Sequence, residues 1–412
     1  MLIKTLLNDA YPVKGFVFGK TSRTGKVIRV EIAARKGSRG LCSDCGCESP
    51  GYDHTKERCF RFIPLWRYDV EFSYRLRRVK CLKHGVIVER LPWADSKSPI
   101  CEPFKIFLAY GAKLLSWEGT ARQFGVPWRN VFESVEYVVE YGLKHRLLTG
   151  INAIGVDEIQ YLCGHKYLTL VYQIDEGCRR LLYVGKDRTA KTLLRFFFRF
   201  KGYTAQIKFV CSDLWKPYLK VIKRKLKHCL HILDRFHVAQ YLNHAVDETR
   251  REEAAQLKHD GHEPILEKSR WCLLKGKKKQ KESQLARLKD LLRYNLKTVR
   301  CYLLKEAFQQ FWTYKTRWGA KRFLEVWLER AMRSRLTEIK KVAKRLRKHQ
   351  ELLLNYFAVK ERLSNGPVEG LNLKAKLAMR KAYGFRKFRT IELALYHQLG
   401  DLPTPPLAHG FC

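Results

Sequence analysis

The chain has 412 residues, 81 of them Lys or Arg against 40 Asp or Glu, for a formal net charge of +41. A prior of one domain per roughly 100 to 200 residues gives two to four folded units, and a hydrophobic content of 46% is enough to build them. Charge of this size repels itself unless a polyanion offsets it, and no run of about 18 apolar residues offers a bilayer span, so nucleic acid is the expected partner and a membrane is not. The amino terminus MLIKTLLNDAYPVKG breaks before a secretory core forms. Thirteen cysteines without an export signal point to reduced thiols in a soluble, cytoplasmic protein.

Residues 1–95 read as strands and turns, with VIRVEIAAR and VEFSYRLRRVKC alternating apolar and polar positions. Cys42 and Cys45 form one knuckle, Cys81 and His84 another, in the pattern C-x2-C-x35-C-x2-H. Two such pairs on hairpin turns suit a closed, tetrahedral, structural Zn2+ site. Cys47, His54 and Cys59 lie nearby and leave the exact ligand set open. From 100 to 148 the texture becomes helical: FKIFLAYGAKLLSW, GTARQFG, then PWRNVFESVEYVVEYGLKH. This fits a helix-turn-helix with Gly125 at the turn and Arg122, Arg129 and Asn130 as DNA contacts, although glycine turns also join helices in ordinary bundles.

Between 151 and 238 strand-like runs (AIGV, YLTLVYQI, RRLLYVGK, IKFVCS, CLHILD) are interrupted by the helix-like TAKTLLRFFFRF and WKPYLKVIKRKLKH. Three strands before the first helix predict a mixed sheet, an antiparallel meander followed by crossover units. Residues 239–362 read as a helical basic insertion containing Lys277, Lys278 and Lys279. Trp215, Trp312, Trp318 and Trp327 are interleaved with the basic residues, as in proteins that track a nucleic-acid backbone. A final helix is expected from near Pro367 within a carboxy-terminal region at 363–400, followed by a proline-rich tail at 401–412. The fold class is therefore α/β plus α.

Three acids stand out: Asp157 in IGVDEIQY, Asp213 in FVCSDLWKPY and Glu369 in SNGPVEGLNLKAK. Two follow strand-like runs and one opens a helix. In-line phosphodiester chemistry is served by two metal ions about 3.5 to 4 Å apart, and hard cations such as Mg2+ take carboxylate ligands. Each acid also has an ordinary reading, as a turn residue, a helix cap or a favourable charge in a first helical turn. Strand alternation predicts that Glu158 points away from Asp157. Asp175 suits a hairpin turn. Asp234 and His237 in LDRFHV are candidate accessory residues, or equally a cap and a first-turn residue. Lys374, Lys376, Arg380, Lys381, Arg386 and Lys387 follow Glu369 and would set phosphate-binding charge beside it.

The strings IGVDEIQY, GHKYLTLVYQID, SDLWKPYLKVI, LDRFHVAQYLN and SNGPVEGLNLKAKLAMRKAYGFRKF resemble the DDE transposases of bacterial insertion sequences, most closely the ISL-three type, and the resemblance covers nearly the whole chain. It implies a ribonuclease H-like catalytic domain in which Asp157, Asp213 and Glu369 bind two Mg2+ (or Mn2+) ions, with a helical insertion between the second Asp and the Glu and a zinc-binding region at the amino terminus. The implied function is metal-dependent cleavage and strand transfer at terminal inverted repeats. Its partners are double-stranded DNA, as transposon ends and target, and further copies of the chain, in a bacterial protein that joins the nucleoid when DNA-bound. Two rivals remain at this point: a non-catalytic DNA-binding regulator derived from such an enzyme, and a metal-dependent nuclease or resolvase.

Overall fold

Helix α1 (Ile3–Ala10) leads into strands β1 (Phe16–Thr24), β2 (Val27–Ala34), the short β3 (Gly40–Leu41) and β4 (Glu48–Ser49), the long pair β5 (Gly51–Leu65) and β6 (Tyr68–Cys81), and β7 (Gly85–Val88). Alternation decides the packing of β2: Ile28, Val30 and Ile32 are buried while Arg29 and Glu31 face outward. The sheet runs β1-β2-β6-β5 with β7 on β6, and Trp93 packs edge-on against Phe16, Phe60 and Tyr74 in its core. Helices α2 (Glu102–Leu114), α3 (Trp117–Gln123) and α4 (Trp128–His145) follow. Arg61 of β5 donates to the carbonyls of Phe124 and Gly125 in the α3–α4 turn, so the strand-rich and helical segments share one body.

The computed structural model describes residues 3–95, 97–276, 280–359, 367–381 and 385–406. It divides into two compact units, Met1–Leu147 with Leu377–Cys412, and Leu148–Lys376.

The second unit begins with β8 (Ala153–Leu162), β9 (Lys166–Asp175) and β10 (Cys178–Lys186), an antiparallel meander. Its two turns place Gly164 and Gly177 at φ of +78° and +80°, where a Cβ would be strained. Helix α5 (Ala190–Arg199) then leads to β11 (Phe209–Ser212), and α6 (Lys216–Lys225) to β12 (Leu230–Leu233). The strand order is β10-β9-β8-β11-β12, with β11 parallel to both β8 and β12. The sheet is mixed, as the pattern of runs predicts.

Among the described residues seven α-helices follow: α7 (Arg235–His259), α8 (Arg270–Leu274), α9 (Glu282–Leu291), α10 (Lys297–Gln309), α11 (Arg317–Arg333), α12 (Thr337–Lys348) and α13 (Gln350–Leu354). Their core contains Phe308, Phe311, Trp312 and Trp327. This corrects one expectation, because Trp312 and Trp327 are core residues, whereas Trp215 and Trp318 are exposed, at 36% and 70%. Large aromatics bury more apolar area than any other side chain, and a helical body of this size uses them as its centre. Lys277, Lys278 and Lys279 lie outside the described residues.

The single final helix expected from near Pro367 is two helices, α14 (Pro367–Lys381) and α15 (Phe388–Leu399). The division between the units falls inside α14. In the first unit, Arg389 of α15 forks onto Glu136 and Glu140 of α4. His397 of α15 is buried, and burial followed by the charges of Lys113 and Lys381 pushes its imidazole down to about 3. A histidine whose folded pKa is depressed takes its proton first in the unfolded chain, so stability is lost as pH falls below about 6.5. Between pH 7 and pH 5 the stability of the wild type should fall, relative to a His397→Gln variant, by about 2 kcal/mol. Urea denaturation of both proteins at the two pH values checks this, and parallel pH profiles would refute it. Among the described residues no helix is long and apolar enough to cross a membrane.

Candidate active site and metal centre

Parallel pairing sets the site. The ladder of β8 with β11 ends at Val156 and Ser212, and that of β11 with β12 ends at Ser212 and Leu233. The next residue on each strand is an aspartate: Asp157, Asp213 and Asp234. Three carboxylates thus stand at matching positions across three adjacent strands, all buried, at 8%, 5% and 5% exposure. The sequence reading ended the first strand at Val156, whereas β8 continues to Leu162 in its antiparallel pairing with β9. Asp157 therefore sits within a strand, at the point where the parallel ladder stops.

Each carboxylate is held locally. Asp157 Oδ1 accepts from the Glu158 N–H at 2.8 Å and faces His237 Nε2 at 3.5 Å. Asp213 Oδ1 accepts from the Trp215 N–H at 2.9 Å. Asp234 caps α7 through the Phe236 N–H at 2.8 Å. Asp234 is thus a helix cap, and His237, in the first turn of α7, faces Asp157.

Glu369 reaches this end of the sheet on α14. Val368, its neighbour, packs over Gly155 so closely that a Cβ there would lie 2.5 Å from Val368 Cγ2. Asn372, one turn after Glu369, is buried; its Nδ2 donates to Asp157 Oδ2 and its Oδ1 accepts from Tyr172 Oη at 2.8 Å. The Glu369 carboxylate is exposed and close enough to Asp234 to add to the rise in that group's pKa. Gly155→Val should therefore push α14 off the strand. We expect the variant to lose about 1–3 kcal/mol of stability, the typical cost of overpacking, read by denaturant unfolding beside wild type; an unchanged midpoint would refute the packing.

Crowded acids titrate late. Burial raises Asp234 to about 6, against the lowering effect of His237 and of the Phe236 N–H. Asp213 is raised, chiefly by burial. Glu158 is raised to about 8 by burial and then by Asp213. His237 is lowered by its own burial, but the Asp157 hydrogen bond and the surrounding carboxylates outweigh this and bring it to about 9. Glu158 is not removed from the site as alternation suggested, because Arg188 Nη2 bridges Glu158 Oε1 at 2.6 Å and Asp213 Oδ2 at 3.5 Å. Sequence reading missed Arg188, Asn372 and Tyr172. Only Asn372 had a local signal, its i+3 spacing from Glu369.

The cysteine site lies in the first unit. Cys42 and Cys45 occupy the β3–β4 turn, Cys81 ends β6 and His84 sits in the turn to β7. Cys42 Sγ to His84 Nδ1, Cys45 Sγ to Cys81 Sγ, and Cys81 Sγ to His84 Nδ1 are each 3.6 Å, and all four ligand atoms lie within 4.8 Å of one another. Metal–sulfur bonds of about 2.3 Å give a tetrahedron with edges of about 3.8 Å, so the donors fit one ion. Backbone N–H groups, first that of Lys83, and then His84 lower the Cys81 thiol to about 6. Among the described residues this is the one such group; no three of the sheet-end carboxylates meet that spacing.

Of the predicted DNA contacts, Arg122 and Arg129 are exposed and Asn130 is half-buried around the α3–α4 turn, where Gly125 has φ +55°. Arg129 pairs with Glu133 at 2.7 Å. Lys374, Lys376, Arg380, Arg386 and Lys387 are exposed. Lys381 is engaged, its Nζ donating to the carbonyls of Lys113 and Leu114 at the end of α2.

Residues 154–395 match the ISL3 family of DDE proteins, described as "Transposase". The chain belongs to the ISL3-type DDE transposases. The transposase is 27% identical over 350 residues to the transposase for insertion sequence element IS1001 of Bordetella parapertussis, covering 84% of this chain and 85% of that one. It is also 27% identical over 412 residues to the transposase for IS1557 of Mycobacterium tuberculosis, covering 94% and 92%. The Drosophila P element transposase strand transfer complex aligns with a TM-score of 0.40 at 8% identity, over 71% of this chain and 91% of that one.

Proposed function

We propose that this transposase cleaves and joins DNA in the Leu148–Lys376 unit, which we read as ribonuclease H-like, with Asp157, Asp213 and Glu369 as the metal-binding catalytic acids. The observation that carries this reading is the matching placement of Asp157 and Asp213 on adjacent parallel strands, with the Glu369 helix fastened to Asp157 through Asn372. An antiparallel meander followed by two parallel strands supports the fold assignment. The donor set, all carboxylate oxygens, fits hard divalent cations. Magnesium or manganese bound there would supply Lewis-acid activation of the phosphodiester and of the attacking oxygen.

Two in-line displacements at phosphorus make up the reaction: water opens the strand at the transposon end, and the freed 3′ hydroxyl attacks target DNA. Neither needs a covalent protein intermediate, so no Ser or Tyr nucleophile is assigned. Asn372 orients Asp157, Trp215 orients Asp213 through its backbone N–H, and His237 places positive charge beside Asp157. We assign Asp234 and His237 accessory roles on that ground. In the other unit, Cys42, Cys45, Cys81 and His84 hold structural Zn2+, and the α3–α4 pair acts as a helix-turn-helix that reads the terminal inverted repeats through Arg122, Arg129 and Asn130. Lys374, Lys376, Arg380, Arg386 and Lys387 are assigned to phosphate contacts. We read 1–95 as the zinc-binding segment, 100–148 as the DNA-reading segment and 239–362 as the insertion. Two ends must be joined in one event, which calls for an oligomer on DNA, and such DNA is met in the bacterial cytoplasm at the nucleoid.

Incubation with labelled DNA carrying the element's ends, Mg2+ or Mn2+ and a target plasmid tests the proposal. Joined products are expected. Cleavage without joining would make the protein a nuclease, and binding alone a regulator.

A further inference from the structure

Arg188 enters the acidic site from the loop between β10 and α5, on a backbone held in place from several sides. The residue before it, Asp187, has φ +72°, a left-handed conformation that costs a non-glycine residue on the order of 1 kcal/mol and persists only where its surroundings enforce it. They do. The Asp187 N–H donates to the Tyr167 carbonyl at 2.9 Å, the Asp187 carbonyl accepts from Thr169 Oγ1 at 2.7 Å, and Thr169 Oγ1 also bonds Tyr218 Oη at 2.7 Å. On the other side Thr189 caps α5 through the Thr192 N–H.

The guanidinium delivered by this loop lies 3.9 Å over the Trp215 ring. Its two carboxylate partners are held unequally: Glu158 at 2.6 Å, Asp213 at 3.5 Å. Glu158 and Asp213 keep only 10% and 5% of their side-chain exposure. A buried ion pair contributes little net stability, because desolvation offsets the Coulomb gain. Stability alone therefore does not account for an arginine so firmly aimed at these two acids.

We infer that Arg188 is a positioning residue for Asp213, a resident counter-cation with which a divalent ion competes for the Asp213 carboxylate. The inference rests on the reading of Asp213 as a metal ligand. Glu158 and the Trp215 ring retain the guanidinium, while the long Asp213 contact is the one that yields. A fixed positive charge beside the ligand oxygen weakens binding of a second cation. It also holds the Asp213 carboxylate aligned before that cation arrives.

The test is Mn2+ titration of the full-length, zinc-replete protein without DNA, followed by electron paramagnetic resonance, beside cleavage of end DNA. Arg188→Met should bind Mn2+ about 5-fold more tightly yet cleave at least 10-fold more slowly, and Arg188→Lys should return the affinity toward wild type. Damage to folding would weaken binding, so tightening separates the two explanations. Should Arg188→Met not fold, Glu158→Gln serves: it leaves Arg188 to Asp213 alone, and Mn2+ binding should weaken. Unchanged or weaker binding in a folded Arg188→Met protein, or unchanged binding in Glu158→Gln, would overturn the inference. Unchanged Mn2+ affinity in Asp213→Asn would instead overturn the assignment of Asp213 as a ligand, on which it rests.

Discussion

Asp213→Asn should abolish strand cleavage and joining, with a fall on the order of 10³-fold or more, because the substitution keeps the shape of the side chain and removes the anionic oxygen that a divalent cation needs. DNA binding should persist, since the residues assigned to it lie elsewhere. Stability should move in the opposite direction. Asp213 is buried, its pKa is raised chiefly for that reason, and it shares the sheet end with Asp157, Asp234 and Glu158. An acid whose folded pKa lies above its unfolded value binds its proton more tightly in the native state. The stability this gives is present at low pH and is lost as pH rises from the unfolded value through the folded one. Asparagine has no proton to lose, so without added Mg2+ or Mn2+ the variant's advantage over wild type should grow between pH 4 and pH 8. Denaturant unfolding at several pH values, run beside the cleavage assay, reads both effects. Equal cleavage by the two proteins would remove Asp213 from the chemistry. A destabilised variant at pH 8 would show that Arg188 and the Trp215 N–H outweigh the crowding.

Removal of zinc should release the knuckles of the first unit and, with them, DNA recognition. Cys42→Ser combined with Cys45→Ser leaves two of the four donors, and metal analysis should show the loss of one stoichiometric zinc per chain. Structural zinc contributes about 10–16 kcal/mol of apparent binding free energy in small zinc domains, as much as the whole stability of a typical domain. Collapse of the entire unit is nevertheless not expected. Phe16, Phe60, Phe72, Tyr74 and Trp93 form a core of their own beneath β1, β2, β5 and β6. β3 and β4, by contrast, are two-residue strands that supply little apolar area. Amide hydrogen exchange should therefore rise sharply over residues 40–49 and 81–88 and change little in the second unit. Affinity for end DNA should drop at least 10-fold. Unchanged zinc content in the double variant would refute the ligand assignment, and unchanged exchange would show that the turns hold without metal.

Local chemistry made much of this legible in advance. The C-x2-C and C-x2-H pairs announced the four-donor cluster because thiolate and imidazole donors in short turns have few other uses in a strand-rich segment. Alternation in VIRVEIAA and the runs before Asp157, Asp213 and Asp234 gave strands, since a pleated backbone repeats every two residues. Helical periodicity placed α4 and the helices that follow β12. The misreadings have a common cause. Trp312 and Trp327 look like Trp318 in composition and spacing, and only the packing of distant helices decides which of them is buried. Glu158 was assigned to the far face by alternation, a rule that fixes where a side chain leaves the backbone and says nothing of an arginine arriving from another loop.

What the sequence by itself determined was the kind of chemistry available: a basic chain, a four-donor metal pattern, acids at the ends of strands and helices, and a family resemblance carried by short ordered strings. Those are properties of neighbouring residues. Tertiary structure alone decided that Asp157, Asp213 and Asp234 stand at one level, because parallel register is set by backbone pairing between strands far apart in the chain. It alone decided that Gly155 leaves room for Val368 and that Asn372 ties the Glu369 helix to Asp157 across 215 positions. No local rule reaches that distance, because such contacts form only after the loops between them have closed.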